Sequence, residues 1–416
     1  MPTTEPPWPD VHYGQPVPVD APRPTDLVGS VTSPRAAVRV HLGAGVDPAL
    51  AARALDAAAR TLDYCERSLR LDGPWPDGLR GGDPGLDVYV RADGPWSETP
   101  VDAMATVARW DRASAFVRVR ADADPVRFAR AVGEGVARAV VLGVKADHPP
   151  RMLYGLGHAI ARRALDLPPD LDAVRSFQAR PEASVLGGPL AGPEDVPAAR
   201  GAGLFLDWLL ARYDDPQNTL LEGLVAGAAG WSAPDAPRLI DEPDVMDLLR
   251  RLFRDEPQGL RGALAEFSAH RALLGGAGDE TGYPLRPDLG ARAREFSWSA
   301  LPAWVRPAAP LEPTGTSLVV IDLGDAPVDG SLSVWLHATP WRRWMVRVLR
   351  VGARGPALGT LDTEVVRGGE WSVQLDTVRG AARVVIAVTD LGDETFEPDM
   401  PQSANGYFAL HIDRGR

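Results

Sequence analysis

Glu134 is the residue of this sequence best placed for proton chemistry. It sits inside a predicted helix, in Ala131-Val132-Gly133-Glu134-Gly135-Val136-Ala137, and Tyr154 and His158 follow on the next one. A carboxylate in a cleft beside such groups can bind a ligand or work as a general acid or base. The plainer reading is a polar side chain hydrogen-bonded inside the fold. Each glycine within a helix costs about 1 kcal/mol relative to alanine, so Gly133 and Gly135 imply close helix packing or a cleft floor that something approaches. The seven histidines are His12, His41, His148, His158, His270, His337 and His411, and no two have ligand spacing on a common helix. Glu134, His148 and His158 can be written as a metal cluster. Against it, His148 opens a Pro-Pro loop and His158 reads as an ordinary helix residue.

Other chemistry is sparse. Cys65 is the single cysteine, which excludes an internal disulfide, a thiolate zinc cluster and a CxxC redox pair. It falls on an apolar helical stripe and reads as a buried, inert thiol. No GxSxG elbow, Walker A loop or strand-linked GxGxxG occurs, and the GLGH stretch at 155–158 reads as helix packing. Asp390, Asp393, Glu394, Glu397 and Asp399 are dense enough for calcium but lack EF-hand spacing, so a solvated acidic loop is the simpler account. Trp335, Trp341, Trp344 and Trp371 could form a sugar- or peptide-binding face, although alternation directs most of them into a core.

The elements that must position these residues follow from periodicity. Residues 1–34 read as an extended, proline-rich lead-in with Trp8 and Tyr13 as anchors. A strand is predicted over 36–42. A helix follows, capped by Asp47 with Pro48 in its first turn, and Leu50, Ala54, Ala58, Leu62, Cys65 and Leu69 recur at helical spacing. Strands are predicted over 86–90 and 115–120, then helices from Asp124-Pro125 to about Leu142 and from Pro150 to Leu165. The order is β-α-β-β-α-α. Helices over 198–213, 219–229, 244–253 and 258–274 make a helical subdomain, and residues 275–313 read as the connection to the next domain. From Thr316 the period changes to two, with strands predicted over 317–323, 331–337, 344–351, 370–376, 383–389 and 407–412 and a weaker one near 361–365. The fold class is therefore α+β. An α/β subdomain spans 35–180, a helical subdomain 181–300, and an antiparallel β-sandwich 310–416.

Composition narrows the partners. The 416 residues are 45% hydrophobic and 24% charged, within the globular range, and suit two or three domains. The net charge of −12 and the absence of a basic run argue against nucleic acid. The N-terminus lacks a secretory signal pattern and no run of eighteen apolar residues occurs, so a soluble protein without a membrane span is expected. It is cytoplasmic as written, or exported with its signal removed.

The element order resembles the zincin-type metallopeptidases, in particular gluzincin-like proteins of GC-rich bacteria with a C-terminal β-sandwich. The resemblance spans roughly 35–413 and rests also on GAGLFLDWLLARYDD (201–215), PTGTSLVVIDL and the terminal GYFALHI. In that family HExxH places two zinc ligands on one helix face, and the intervening Glu activates the metal-bound water. The resemblance puts Glu134 at the general-base position, Gly133 and Ala137 at the two histidine positions, and Tyr154 at the position of the ligand Glu. It thus implies a cleft lined by Gly133, Ala137, Tyr154 and His158, with Glu134 facing Tyr154 across two helices. No zinc or other cofactor is expected. The leading expectation is a non-catalytic, metallopeptidase-like binding or structural module for an unidentified protein or peptide. The alternatives are a hydrolase working through Glu134, and a carbohydrate- or surface-binding protein acting through the sandwich.

Overall fold

The computed structural model describes residues 22–107, 110–146, 148–187, 190, 192–213, 217–230, 245–255, 259–275, 286–327, 329–353, 357–365, 369–392 and 406–415. Trp8, Tyr13 and the acidic residues of 393–399 lie outside them. In chain order the elements begin β1 (Leu27–Thr32), β2 (Val38–Gly43), α1 (Ala49–Arg67), β3 (Leu86–Arg91), β4 (Ser97–Glu98), β5 (Val101–Val107), β6 (Trp110–Ala115), β7 (Val117–Arg120), α2 (Pro125–Val144) and α3 (Pro150–Ala164). Next come α4 (Leu171–Gln178), α5 (Val196–Gly201), α6 (Gly203–Tyr213), α7 (Thr219–Ala226), α8 (Val245–Leu252) and α9 (Gly259–Leu273). The rest are strands: β8 (Arg294–Ser297), β9 (Ala303–Val305), β10 (Thr316–Asp322), β11 (Leu332–Ala338), β12 (Trp344–Gly352), β13 (Ala357–Val365), β14 (Glu370–Leu375), β15 (Ala381–Asp390) and β16 (Phe408–Arg414). The class is α+β.

The chain divides into two compact units, Met1–Pro169 with Leu209–Arg251, and Asp170–Trp208 with Leu252–Arg416. The helical subdomain expected over 181–300 is therefore not one body. Its helices are shared between the units, and the helix expected over 198–213 breaks at Ala202 into α5 and α6.

The first unit is built on a five-stranded sheet in the order β1-β2-β3-β7-β4, with β2, β3 and β7 parallel. Asp47 accepts the Ala49 amide at 2.9 Å to start α1, and Asp124 accepts those of Val126 and Arg127 at 2.8 and 3.1 Å to start α2. From Phe128 onward nearly every residue of α2 is buried, which makes it the central helix of the unit. Part of the expected lead-in forms β1, which pairs antiparallel with β2. Its LVGSVT sequence is exposed along almost its whole length, so it carries no alternation to announce a strand. The β5–β6 hairpin and the short β4 likewise add to the expected β-α-β-β-α-α order.

In the second unit two sheets, β13-β12-β15-β10-β8 and β14-β11-β16-β9, form a sandwich. Inward residues of both sheets share one core that includes Val319, Val334, Trp344, Val346, Ile386 and Leu410. The sandwich starts earlier than position 310: β8 pairs with β10, β9 pairs with β16, and Trp298, Leu301 and Val305 belong to the core. Outward residues Leu318, Leu349, Val351, Val385 and Ala387 of the larger sheet are buried with Ala269 of α9. Beneath that helix Ser268, Thr316 and Thr389 close a hydroxyl triangle with edges of 2.7 to 3.1 Å. The outer face of the smaller sheet has no such cover among the described residues, and several large aromatic side chains stand exposed on it.

Candidate functional site

Glu134 lies in the interior of the first unit, fully buried on α2. His158 of α3 shares a hydrogen bond through Nδ1 with its Oε1 at 2.9 Å, and the Arg138 guanidinium lies 3.8 Å from its Oε2. Arg138 also donates to Ser97 Oγ at 2.8 Å and Thr99 Oγ1 at 3.1 Å, and its guanidinium sits 4.5 Å from the Tyr154 ring centre. Glu134 and Tyr154 thus meet through Arg138. Sequence reasoning passed over that residue, although a charge four positions beyond Glu134 on an apolar helix is a visible signal.

The glycines show why no cleft forms at this point. A Cβ at Gly133 would lie 2.7 Å from Leu165 Cδ1, one at Gly135 would lie 2.3 Å from Val117 Cγ1, and one at Gly157 would lie 2.7 Å from Arg138 Cγ. Gly133 and Ala137 are therefore packing positions in a sealed helix crossing, and only Tyr154 of this group is partly open to solvent. Neither Gly133 nor Ala137 offers a side-chain donor, and the space beside Gly133 is filled by Leu165 and Ala161. His148 is buried apart from the cluster, with no hydrogen-bond partner among the described residues. Burial and the nearby Lys145 push its pKa down to about 3, so it is a neutral core histidine. Cys65 is buried as well, its thiol pKa pushed up to about 12 by desolvation.

The accessible constellation is on the sandwich. Along β11, Val334 and Leu336 point into the core while Trp335 and His337 point out. The ladder places Trp335 opposite His411 of β16 and Ser372 of β14, and His411 opposite Trp304 of β9. One row therefore crosses all four strands. The rings are near-parallel: Trp335 to His411 is 5.1 Å at 26°, and His411 to Trp304 is 4.6 Å at 25°. These separations are close to the spacing between strands (about 4.8 Å), so the rings stand on the sheet like upright plates with the imidazole between two indoles. Trp304 also stacks on His337, at 6.3 Å and 25°.

β9 is the edge strand among the described residues, and Trp304 on it is 65% exposed. Around the row, His337 Nδ1 lies 3.5 Å from Glu370 Oε1, and Ser372 and Asp413 present polar side chains on the same face. At one end of the sheet Trp341 and Tyr407 are exposed too, with Tyr407 fixed through its backbone by Thr339. The four tryptophans read from the sequence therefore divide. Trp344 is buried in the core, Trp371 packs against it, and Trp335 and Trp341 face outward. Trp304 lies in β9, within the stretch 275–313 that reads as a connection in the sequence. The Ala-Trp-Val alternation at 303–305 was the signal that marked a strand.

An open cleft of about 350 Å³ also lies at the sandwich edge, where Val348, Arg350, Thr360, Gln374 and Asp376 are among its lining residues. Its size is at the low end for small-molecule sites.

No family model matches the chain, and no curated protein does. Among solved structures, the enzymatically active domain of tailspike protein 4 from bacteriophage CBA120 is similar over 27% of this chain, at 12% identity and a TM-score of 0.20. This chain spans only 18% of that domain. The Yersinia pseudotuberculosis-derived mitogen is similar over 27% of this chain and 86% of its own, at 13% identity and a TM-score of 0.19. The structure of TmCBM61 in complex with beta-1,4-galactotriose is similar over 24% of this chain and 62% of its own, at 13% identity and a TM-score of 0.17. Likenesses this low carry neither fold nor function over to this chain.

Proposed function

We propose that this protein binds carbohydrate through the uncovered sheet of its β-sandwich. The observation that carries the reading is the exposed row Trp304–His411–Trp335 across three neighbouring strands. An indole face is apolar and electron-rich, and one face of a pyranose ring presents polarised C–H groups while hydroxyls ring its rim. The free face of Trp304 suits the first, and His337, Glu370, Ser372 and Asp413 suit the second. A row of this kind, standing on rigid strands, is pre-organised and loses little entropy on binding. An exposed aromatic patch of this sort on a folded surface marks an interaction site more often than chance packing.

The test is affinity electrophoresis of the full chain through gels containing a panel of soluble polysaccharides, followed by calorimetry on any glycan that retards it. Trp304→Ala is expected to weaken binding at least about thirtyfold, the loss of a central aromatic anchor worth about 2 kcal/mol. Retardation by no glycan, or equal retardation of Trp304→Ala, Trp335→Ala and the parent chain, overturns the reading.

A second reading concerns the first unit, as a metallopeptidase-like scaffold without the chemistry. In that reading Glu134, buried between Arg138 and His158, is a structural residue. A carboxylate sealed in this way has no route to a substrate.

A further inference from the structure

The first unit holds a second polar centre that the carbohydrate reading does not use. Three buried carboxylates, Asp77, Asp87 of β3 and Asp102 of β5, converge on the guanidinium of Arg23. Nη2 donates to Asp77 Oδ2 and Asp102 Oδ2, each at 2.5 Å, and Nη1 donates to Asp87 Oδ2 and, at 3.2 Å, to Tyr89 Oη. Nε is 3.4 Å from Asp102 Oδ1, and the guanidinium lies 5.1 Å from the centre of the Phe116 ring. His41 supports the wall, with Nε2 2.6 Å from Asp87 Oδ1 and its ring stacked on Tyr89 at 4.6 Å. Arg80 donates to Asp102 Oδ1 at 3.1 Å. The wall also requires Gly81, because a Cβ there would lie 1.6 Å from Asp87 Oδ2.

The group that fills this pocket comes from outside the framework that builds it. Residues 22–26 form neither helix nor strand, and they lead into the exposed edge strand β1. Val28 and Val31 of β1 remain exposed, so little apolar burial holds the segment down. What holds it is the ladder to β2, an ion pair between Asp26 and Arg91, and Arg23. Among the described residues the framework brings Arg80 to Asp102 and the His41 imidazole to Asp87, against three carboxylates. Without Arg23 the pocket is left with buried negative charge, flat donor-accepting geometry and an aromatic floor, the features that select a planar guanidinium over a compact ammonium.

We propose that this pocket is a recognition site for an arginine side chain, occupied in cis by Arg23, and that an extended arginine-bearing peptide takes Arg23's place when the strap at residues 22–32 is displaced. The resident sequence Pro22-Arg23-Pro24 shows the form of ligand, since the prolines hold the backbone extended on both sides of the arginine.

The probe is the blocked pentapeptide Ala-Pro-Arg-Pro-Thr, the sequence of residues 21–25, titrated calorimetrically into the full-length Arg23→Ala chain. Binding is expected for Arg23→Ala, at least about tenfold weaker binding for the same peptide with lysine at the central position, and none for the Arg23→Ala, Asp87→Asn pair. The parent chain, its pocket filled, is expected to bind the peptide at least tenfold more weakly than Arg23→Ala. Absence of binding to Arg23→Ala, or equal binding of the lysine peptide, overturns the proposal. Should Arg23→Ala not fold, hydrogen exchange of the amides of 25–32 in the parent chain decides: millimolar peptide accelerates it if the strap is displaced, and unchanged exchange overturns the proposal.

Discussion

The Glu134 cluster and the Trp304–His411–Trp335 row use similar side chains to opposite ends. Each contains a histidine with its ring or nitrogens engaged, an acidic neighbour and an aromatic contact. In the first, Arg138 meets the charge of Glu134 inside a helix crossing so tight that glycine is required at several positions. In the second, strand alternation sends the polar and aromatic residues outward, and nothing among the described residues covers them. The difference teaches that residue type identifies groups capable of chemistry, whereas access decides whether they meet a ligand. Removing one partner of a charge pair buried in this way leaves the other uncompensated in the interior, and that loss is felt as instability.

The comparison breaks most readily at Glu134. Glu134→Leu is expected to destabilise the first unit by about 3–5 kcal/mol, because it strands Arg138 in the interior without its carboxylate. Urea unfolding measures this, and Glu134→Gln is expected to leave glycan binding unchanged. A variant that loses binding while keeping its stability would make Glu134 a ligand-contacting residue and merge the two classes.

A smaller effect should come from His148. Its folded pKa is about 3 against an ordinary 6.5, so between these values the unfolded chain takes up a proton that the folded chain refuses. Stability contributed by keeping it neutral is complete above 6.5 and falls as pH drops toward 3, with a slope approaching about 1.4 kcal/mol per pH unit. His148→Leu is expected to flatten that slope in denaturant titrations across pH 6.5 to 4. An unaltered slope would place the titrating group elsewhere.

On the open face the signs reverse. Trp304→Ala, which removes an exposed side chain, is expected to shift stability by no more than about 0.5 kcal/mol while abolishing most glycan affinity. A large fall in stability with binding intact would reclassify the row as structural. The smallest effect is expected for Trp341→Ala: it lies at the end of the sheet, off the row, and should change affinity less than about threefold, below about 0.7 kcal/mol. Calorimetry that ranks Trp341 with Trp304 would move the site to the sheet end.

Much of the architecture was legible in the sequence because local rules produced it. Asp124 caps its helix where capping chemistry puts it, Asp47 accepts the Ala49 amide from one residue before the cap position of α1, and the strands from β10 onward follow a period of two. The outward position of Trp335 and the inward position of Trp344 each depend on a register that pairing with neighbouring strands fixes. The sequence also carried the α+β class. Tertiary structure alone decided the rest. The edge strand β9 pairs with β16, far away in the chain, so its own residues need not alternate at length; β1 pairs with the adjacent β2 although nearly all its residues are exposed, so its pairing rather than its own pattern makes it a strand. The junction of Glu134 with His158 and Arg138, the seating of Arg23 among three aspartates, and the alignment of Trp304 with His411 all join residues through packing and register. Spacing along a chain fixes neighbours within one helix or strand, but which elements lie side by side is set by the burial of their apolar faces together, a property of the whole core rather than of any segment.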